Sequence, residues 1–150
     1  MQVKIKKLSE KIGKEFKAPT YATKGSAGCD LVACIDKPIT LKPGEIMKIP
    51  TGIAIQIPSP AYAGFIFPRS GLSSKHGINL VNCVGVIDSD YTGEIICPVQ
   101  NNGSEPYIIE PGERIAQLVI MPIVQVDFVW VEELDETERG AGGFGSTGKK

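Results

Sequence analysis

Glycine and proline cut this chain into pieces that suit brief strands and turns. The 17 glycines and 11 prolines are spread through the 150 residues, and both residue types disfavour a helix interior. No stretch shows a long 3.6-residue period. Apolar, β-branched and aromatic residues gather instead in short runs at 2–8, 28–33, 46–57, 62–67, 78–81, 84–87, 95–99, 107–110, 114–121 and 124–131, which read as strands. In the last run Val124, Val126, Phe128 and Trp130 fall on one face and Gln125 and Asp127 on the other, which predicts a half-buried strand. Pro43-Gly44 and Pro111-Gly112 are turn signals. Many short strands at this spacing read as a sandwich, jelly roll or barrel. The one helix candidate is 70–75, where a serine would cap the first turn.

The length suggests one domain, able to bury roughly 68–70% of its unfolded surface without staples. A formal net charge of −1 points neither to nucleic acid nor to an anionic membrane. No apolar run approaches the length of a transmembrane helix, and the first residues, Met1-Gln2-Val3-Lys4-Ile5, alternate like a strand and lack the apolar core of a signal peptide. The cysteines, Cys29, Cys34, Cys83 and Cys97, form no C-x-x-C pair, and His76 is the only histidine. That is poor material for a zinc site. Free thiols acting as small apolar residues in a reducing cytoplasm are the expectation.

The stretch from Asn82 to Glu94 concentrates chemistry. Val84 to Ile87 leads into Asp88-Ser89-Asp90, and after Tyr91, Thr92-Gly93 opens a second apolar run. Two such runs joined by Asp, Ser and Gly read as a β-hairpin, with a carboxylate mounted on a rigid strand end. The same aspartates also suit a plain turn.

Composition shifts after Val131. Glu132, Glu133, Asp135, Glu136 and Glu138 make an acidic segment with Leu134 as its one large apolar residue, and such a segment reads as a solvated linker. The organisation expected is therefore a β-rich body over 1–131, then a linker and glycine-rich tail over 132–150. In the tail, Arg139 and Phe144 interrupt a glycine-rich run that holds Ser146 and Thr147. An arginine, a lone aromatic and glycines beside hydroxyls suit a phosphorylated ligand. Gly140 to Gly145 also satisfies G-x-G-x-x-G, but with the chain ending at Lys150 no helix follows, so a dinucleotide site is not expected. A P-loop is not expected either, because Ser146 stands where its lysine belongs.

Five stretches in order resemble the trimeric deoxyuridine triphosphate nucleotidohydrolases, the dUTPases. They are Ala27-Gly28-Cys29-Asp30-Leu31, Pro68-Arg69-Ser70-Gly71-Leu72-Ser73-Ser74-Lys75-His76-Gly77-Ile78, Gly85-Val86-Ile87-Asp88-Ser89-Asp90-Tyr91-Thr92-Gly93-Glu94, Gly112-Glu113-Arg114-Ile115-Ala116-Gln117-Leu118, and the tail from Arg139 to Gly148. The resemblance implies an all-β subunit, a distorted jelly-roll or β-clip-like barrel with one short helix and a flexible C-terminal tail. It implies a homotrimer whose active sites are shared between subunits. The implied reaction is hydrolysis of dUTP to dUMP and pyrophosphate, with Mg²⁺ on the triphosphate.

The resemblance also assigns roles. Asp88 is the general base. Arg69, Ser70, Gly71 and Gln117 meet the phosphates, Arg139, Gly145 and Ser146 meet the outer ones, and Phe144 stacks on uracil. Asn82 and the main chain of Gly85, Val86, Ile87 and Asp88 read the base, while Tyr91 lies against the deoxyribose. Asp30 holds a metal through water. Two other readings accompany this one: a dCTP deaminase-related enzyme of the same fold, which needs a catalytic glutamate, and a catalytically silent nucleotide-binding or interaction module.

Overall fold

The computed structural model of the chain describes residues 1–143, and among these it forms ten strands and one short helix. The strands are β1 (Lys4–Lys7), β2 (Cys29–Val32), β3 (Ile39–Leu41), β4 (Ile46–Gln56), β5 (Tyr62–Pro68), β6 (Ile78–Leu80), β7 (Gly85–Ile87), β8 (Glu94–Asn101), β9 (Tyr107–Ile109) and β10 (Arg114–Pro122); the helix α1 is Ser70–His76. Two four-stranded antiparallel sheets, β1-β4-β8-β6 and β2-β10-β5-β7, are accompanied by a separate two-stranded β3-β9 pair. Ile49, Ile95 and Val99 of the first sheet share one core with Leu31, Ile66 and Leu118 of the second. A sandwich follows because each sheet must bury its apolar face against something. Strand β8 shows the underlying period: Ile95, Cys97, Val99 and Asn101 point inward and their neighbours do not.

The all-β expectation holds, and nine of the ten strand runs appear with ends moved by a residue or two. Four readings are corrected. Residues 124–131 pair with nothing in either sheet; Phe128 is 90% and Trp130 98% exposed. Their alternation is real, but no strand among the described residues covers it. The Asn82–Glu94 stretch is not a hairpin, for β7 pairs with β5 while β8 pairs with β4 and β6. The helix N-cap is Arg69, whose side chain makes no capping hydrogen bond, rather than a serine. All four cysteines are free, but only Cys97 is fully buried, and Cys83 is exposed. No helix of the described residues is long and apolar enough to cross a membrane.

The path around β7 positions the first half of the site. After β6 the chain leaves the first sheet through a turn at Cys83, the one non-glycine residue with positive φ (61°) among those described. It adds β7 to the edge of the second sheet, then returns through 88–93 to β8 in the interior of the first sheet. Both connections cross the sandwich, so a cleft opens between the sheets at this edge.

Candidate active site

That cleft has a volume of about 300 Å³. Every residue expected to read the base and sugar lines it: Asn82, Gly85, Val86, Ile87, Asp88 and Tyr91. Ile66, Ile96 and Pro98 give it apolar walls, and Glu94 adds a second carboxylate. Gly85 is paired with Ile66 so closely that a Cβ there would lie 3.2 Å from the Ile66 Cβ. Because β7 has β5 on one side only, its other edge presents main-chain donors and acceptors toward the cleft, as any edge strand does. Asp88 follows the last residue of this strand, is exposed, and forms no ion pair among the described residues. The Tyr91 hydroxyl donates to the Glu94 carbonyl at 2.8 Å, which lays its ring across the cleft mouth.

The residues expected on the phosphates lie elsewhere. Arg69, Ser70, Gly71, Gln117 and Asp30 line a second cleft of about 380 Å³, and Arg114 joins them. Strand β10 brings them together: Gln117 stands opposite Asp30 of β2 on one side and Phe67 of β5 on the other. One residue further along, Ala116 stands opposite Pro68, the last residue of β5 before Arg69. The Gln117 amide donates to the Pro68 carbonyl at 3.1 Å. Gly28 permits the close approach of β2 to β10, since a Cβ would sit 3.0 Å from Val119 Cγ2 and 3.1 Å from the Leu118 carbonyl oxygen.

Asp30 is gripped by two guanidinium groups. Arg69 Nε lies 2.9 Å from Oδ1 and an Arg114 terminal nitrogen 3.0 Å from Oδ2. A terminal nitrogen of Arg69 also donates to the Arg114 carbonyl at 3.3 Å. Two cations on one carboxylate leave a net positive charge in a forked geometry that suits phosphate. Nearby, burial and a 2.5 Å hydrogen bond to Glu113 push the Tyr107 phenol up to about 12, so it stays a neutral donor. The resemblance covers Arg114 and Glu94 without assigning either a role. The signal available for Arg114 is a lone cation at the head of an apolar strand, just after the Pro111-Gly112 turn.

Arg139 is exposed and donates through Nε to the Gly142 carbonyl at 2.9 Å, away from both clefts' linings. Phe144, Gly145 and Ser146 lie outside the described residues.

A β-sandwich with a main-chain-edged cleft that carries two carboxylates and a separate arginine-lined cleft defines the class: a protein with two chemically distinct clefts on one chain. The dUTPase family model matches residues 14–148. A deoxyuridine 5'-triphosphate nucleotidohydrolase of Klebsiella pneumoniae is 53% identical over 149 residues, 99% of this chain and 98% of that one. One of Acinetobacter baumannii is 54% identical over 150 residues, covering both chains completely. Among solved structures, the Staphylococcus bacteriophage 80alpha dUTPase with dUPNHPP superposes with a TM-score of 0.85 at 32% identity, over 98% of each chain. A mutant dUTPase from phage phi11 of S. aureus, described with a structural Mg(II) ion, gives 0.76 at 28% identity over 89% of this chain and 98% of that one. The chain belongs to the dUTPase family.

Proposed function

We infer that this protein hydrolyses dUTP to dUMP and pyrophosphate, and that its two clefts are halves of one active site completed between subunits. The observation that carries the shared site is the split itself. The base and sugar residues line one cleft of the subunit and the phosphate residues line another, with no residue common to both linings. A homotrimer in which each site takes the first cleft from one chain, the second from another and the tail from a third joins them.

In this reading uracil enters the first cleft and pairs with the free edge of β7 much as a neighbouring strand would, because its edge alternates donors and acceptors as a peptide does. Asn82 adds side-chain bonds, and the tight turn leaves no room for a methyl at C5. The Tyr91 ring stands where a 2′-hydroxyl would project. The second cleft supplies Arg69, Ser70, Gly71 and Gln117 to the phosphates. Asp88 takes a proton from the water that attacks the α-phosphorus, the role a poor nucleophile demands.

Mg²⁺ fits this donor set as a phosphate-borne ion. Among the described residues no three His, Cys, Asp or Glu side chains cluster, whereas Mg²⁺ commonly keeps several waters and binds through substrate phosphates. When bound it supplies charge neutralisation on the triphosphate. Asp30, already held by two arginines, would accept a hydrogen bond from a metal-bound water and keep Arg69 aimed.

The tail closes the site. Phe144 stacks on uracil, and Arg139, Gly145 and Ser146 meet the outer phosphates. Fixing such a segment costs about 1–2 kcal/mol per residue, so closure favours the fully charged triphosphate.

The unpaired arm supports assembly. Buried Phe and Trp side chains each hide about 150–250 Å², worth roughly 4–6 kcal/mol at ~25 cal/mol/Å². Phe128 and Trp130 gain almost none of this within one subunit. Edge strand β1 carries Lys4, Ile5 and Lys6 beside a groove of about 340 Å³, and its lysines complement the acidic residues that follow the arm.

The test is complementation. Asp88→Asn and Arg69→Ala variants, each inactive alone, are unfolded together, refolded as mixed assemblies and assayed for pyrophosphate release from dUTP, dCTP and UTP and for ammonia release from dCTP. Regained dUTP activity supports shared sites; no regain in mixed assemblies refutes them. Ammonia release from dCTP without hydrolysis of dUTP would favour the deaminase-like alternative.

A further inference from the structure

We propose that Gly93 and Glu94 form a seat that holds the Tyr91 ring in place, and that this seat, rather than the tyrosine alone, sets discrimination at the sugar 2′ position. The proposal rests on the assignment of Tyr91 to the deoxyribose made above.

The ring is held at two points. Its hydroxyl donates to the Glu94 carbonyl at 2.8 Å. Its far edge lies directly over Gly93, where a Cβ would fall 2.6 Å from the hydroxyl oxygen, 2.7 Å from Cζ and 3.1 Å from Cε2. Gly93 is not among the glycines with positive φ. Its lack of a side chain therefore answers to the ring above it, not to its own backbone.

The seat is tied to the interior. Glu94 Oε1 accepts the Gly52 N–H at 2.8 Å. Gly52 sits where the pairing of β4 with β8 shifts register between Pro50 and Ala54, with φ of +70°, packed so tightly that a Cβ would lie 2.6 Å from Cys34 Sγ. Thr51 reinforces the same break by donating to the Ile95 carbonyl at 2.7 Å. The carbonyl that holds the phenol thus belongs to a residue whose side chain is fastened to a β-bulge in the core. An aromatic ring 44% exposed at a cleft mouth would otherwise sample several rotamers, and a ring that swings aside no longer excludes a hydroxyl.

Gly93→Ala is the informative variant. The new methyl meets the far end of an exposed side chain, so the ring is displaced and the fold is kept. Steady-state kinetics on dUTP and UTP are compared for the unmodified protein, Gly93→Ala, Tyr91→Ala and the double variant, each checked for folding by circular dichroism. The expected result is a dUTP/UTP ratio of kcat/KM lowered on the order of tenfold or more in Gly93→Ala, mainly through better use of UTP. The double variant should match Tyr91→Ala, because a seat without its occupant has no effect. Glu94→Ala should relax the ratio and Glu94→Gln, which keeps an acceptor for Gly52, should restore it. A folded Gly93→Ala with the unmodified ratio overturns the proposal. If that variant fails to fold, Tyr91→Phe decides instead: it keeps the ring and loses the anchor, and an unchanged ratio overturns the seat. Should Tyr91→Ala itself leave the ratio unaltered, the sugar assignment falls and the seat with it.

Discussion

The two clefts of the chain are built by different means. The first is edged by main chain, and its shape comes from backbone held in one place: an edge strand at β7, a left-handed turn at Cys83, a ring pinned over Gly93. The second is lined by side-chain charge, and its geometry comes from one carboxylate shared by two guanidinium groups. The backbone cleft cannot adapt without refolding a strand, so it suits discrimination between bases and sugars. The charged cleft holds a shape that many polyphosphates share. Specificity should therefore reside in the first and affinity for the anion largely in the second.

The largest expected effect separates chemistry from binding within the first cleft. Asp88→Asn keeps the shape and removes the base, and kcat should fall by a factor on the order of 10²–10⁴ with little change in dUTP affinity. Near-normal turnover, measured by pyrophosphate release, would return Asp88 to the status of a turn residue.

A chain ending at Glu138 tests whether the clefts suffice without the tail. Hydrolysis should drop about a hundredfold, as when closure and alignment are lost, while oligomeric state by light scattering and Tm stay as they are. Full activity in the truncated protein would make the tail an inert end.

Within the charged cleft, Asp30→Asn weakens the grip on both arginines. Charge-assisted hydrogen bonds are worth about 1.5–3 kcal/mol, so dUTP kcat/KM should fall roughly tenfold to 150-fold. The dUTP/UTP ratio should not move, because this cleft does not read the sugar. A change in that ratio would break the division of labour between the clefts.

The smallest effect lies outside both. Burial raises the Cys97 thiol from 9.0 to about 12 in the folded chain. Below pH 9 the thiol is protonated in both states; above it only the unfolded chain ionises. This contribution to stability is whole below pH 9 and is lost as pH rises toward 12, about 1.4 kcal/mol per pH unit once well above 9. Urea unfolding between pH 8 and 10.5 should show a flatter alkaline decline in Cys97→Ala than in the unmodified protein. Equal slopes would show that Cys97 is not the group responsible.

Much of this was readable from residue order. Alternation such as that of Ile95, Cys97 and Val99 fixes a strand wherever one face is buried, and Pro-Gly pairs end strands locally, so the all-β class and nearly every strand were visible. The residues of the first cleft were visible because six of its lining positions, from Asn82 to Tyr91, are neighbours in the chain. Long-range pairing was not visible. The Asn82–Glu94 stretch looks like a hairpin because a turn between two β-branched runs carries no record of which sheet each run will join; that depends on β5 and β4, many residues away. Nor does the alternation of Val124, Val126, Phe128 and Trp130 say whether the covering surface belongs to the same molecule. Residue order alone sets local conformation and the kinds of chemical groups available, since both depend on near neighbours. Only the folded sandwich makes Asp30, Arg69 and Arg114 meet in one cleft while Asp88 and Tyr91 line another, because register between distant strands is set by how the whole core packs.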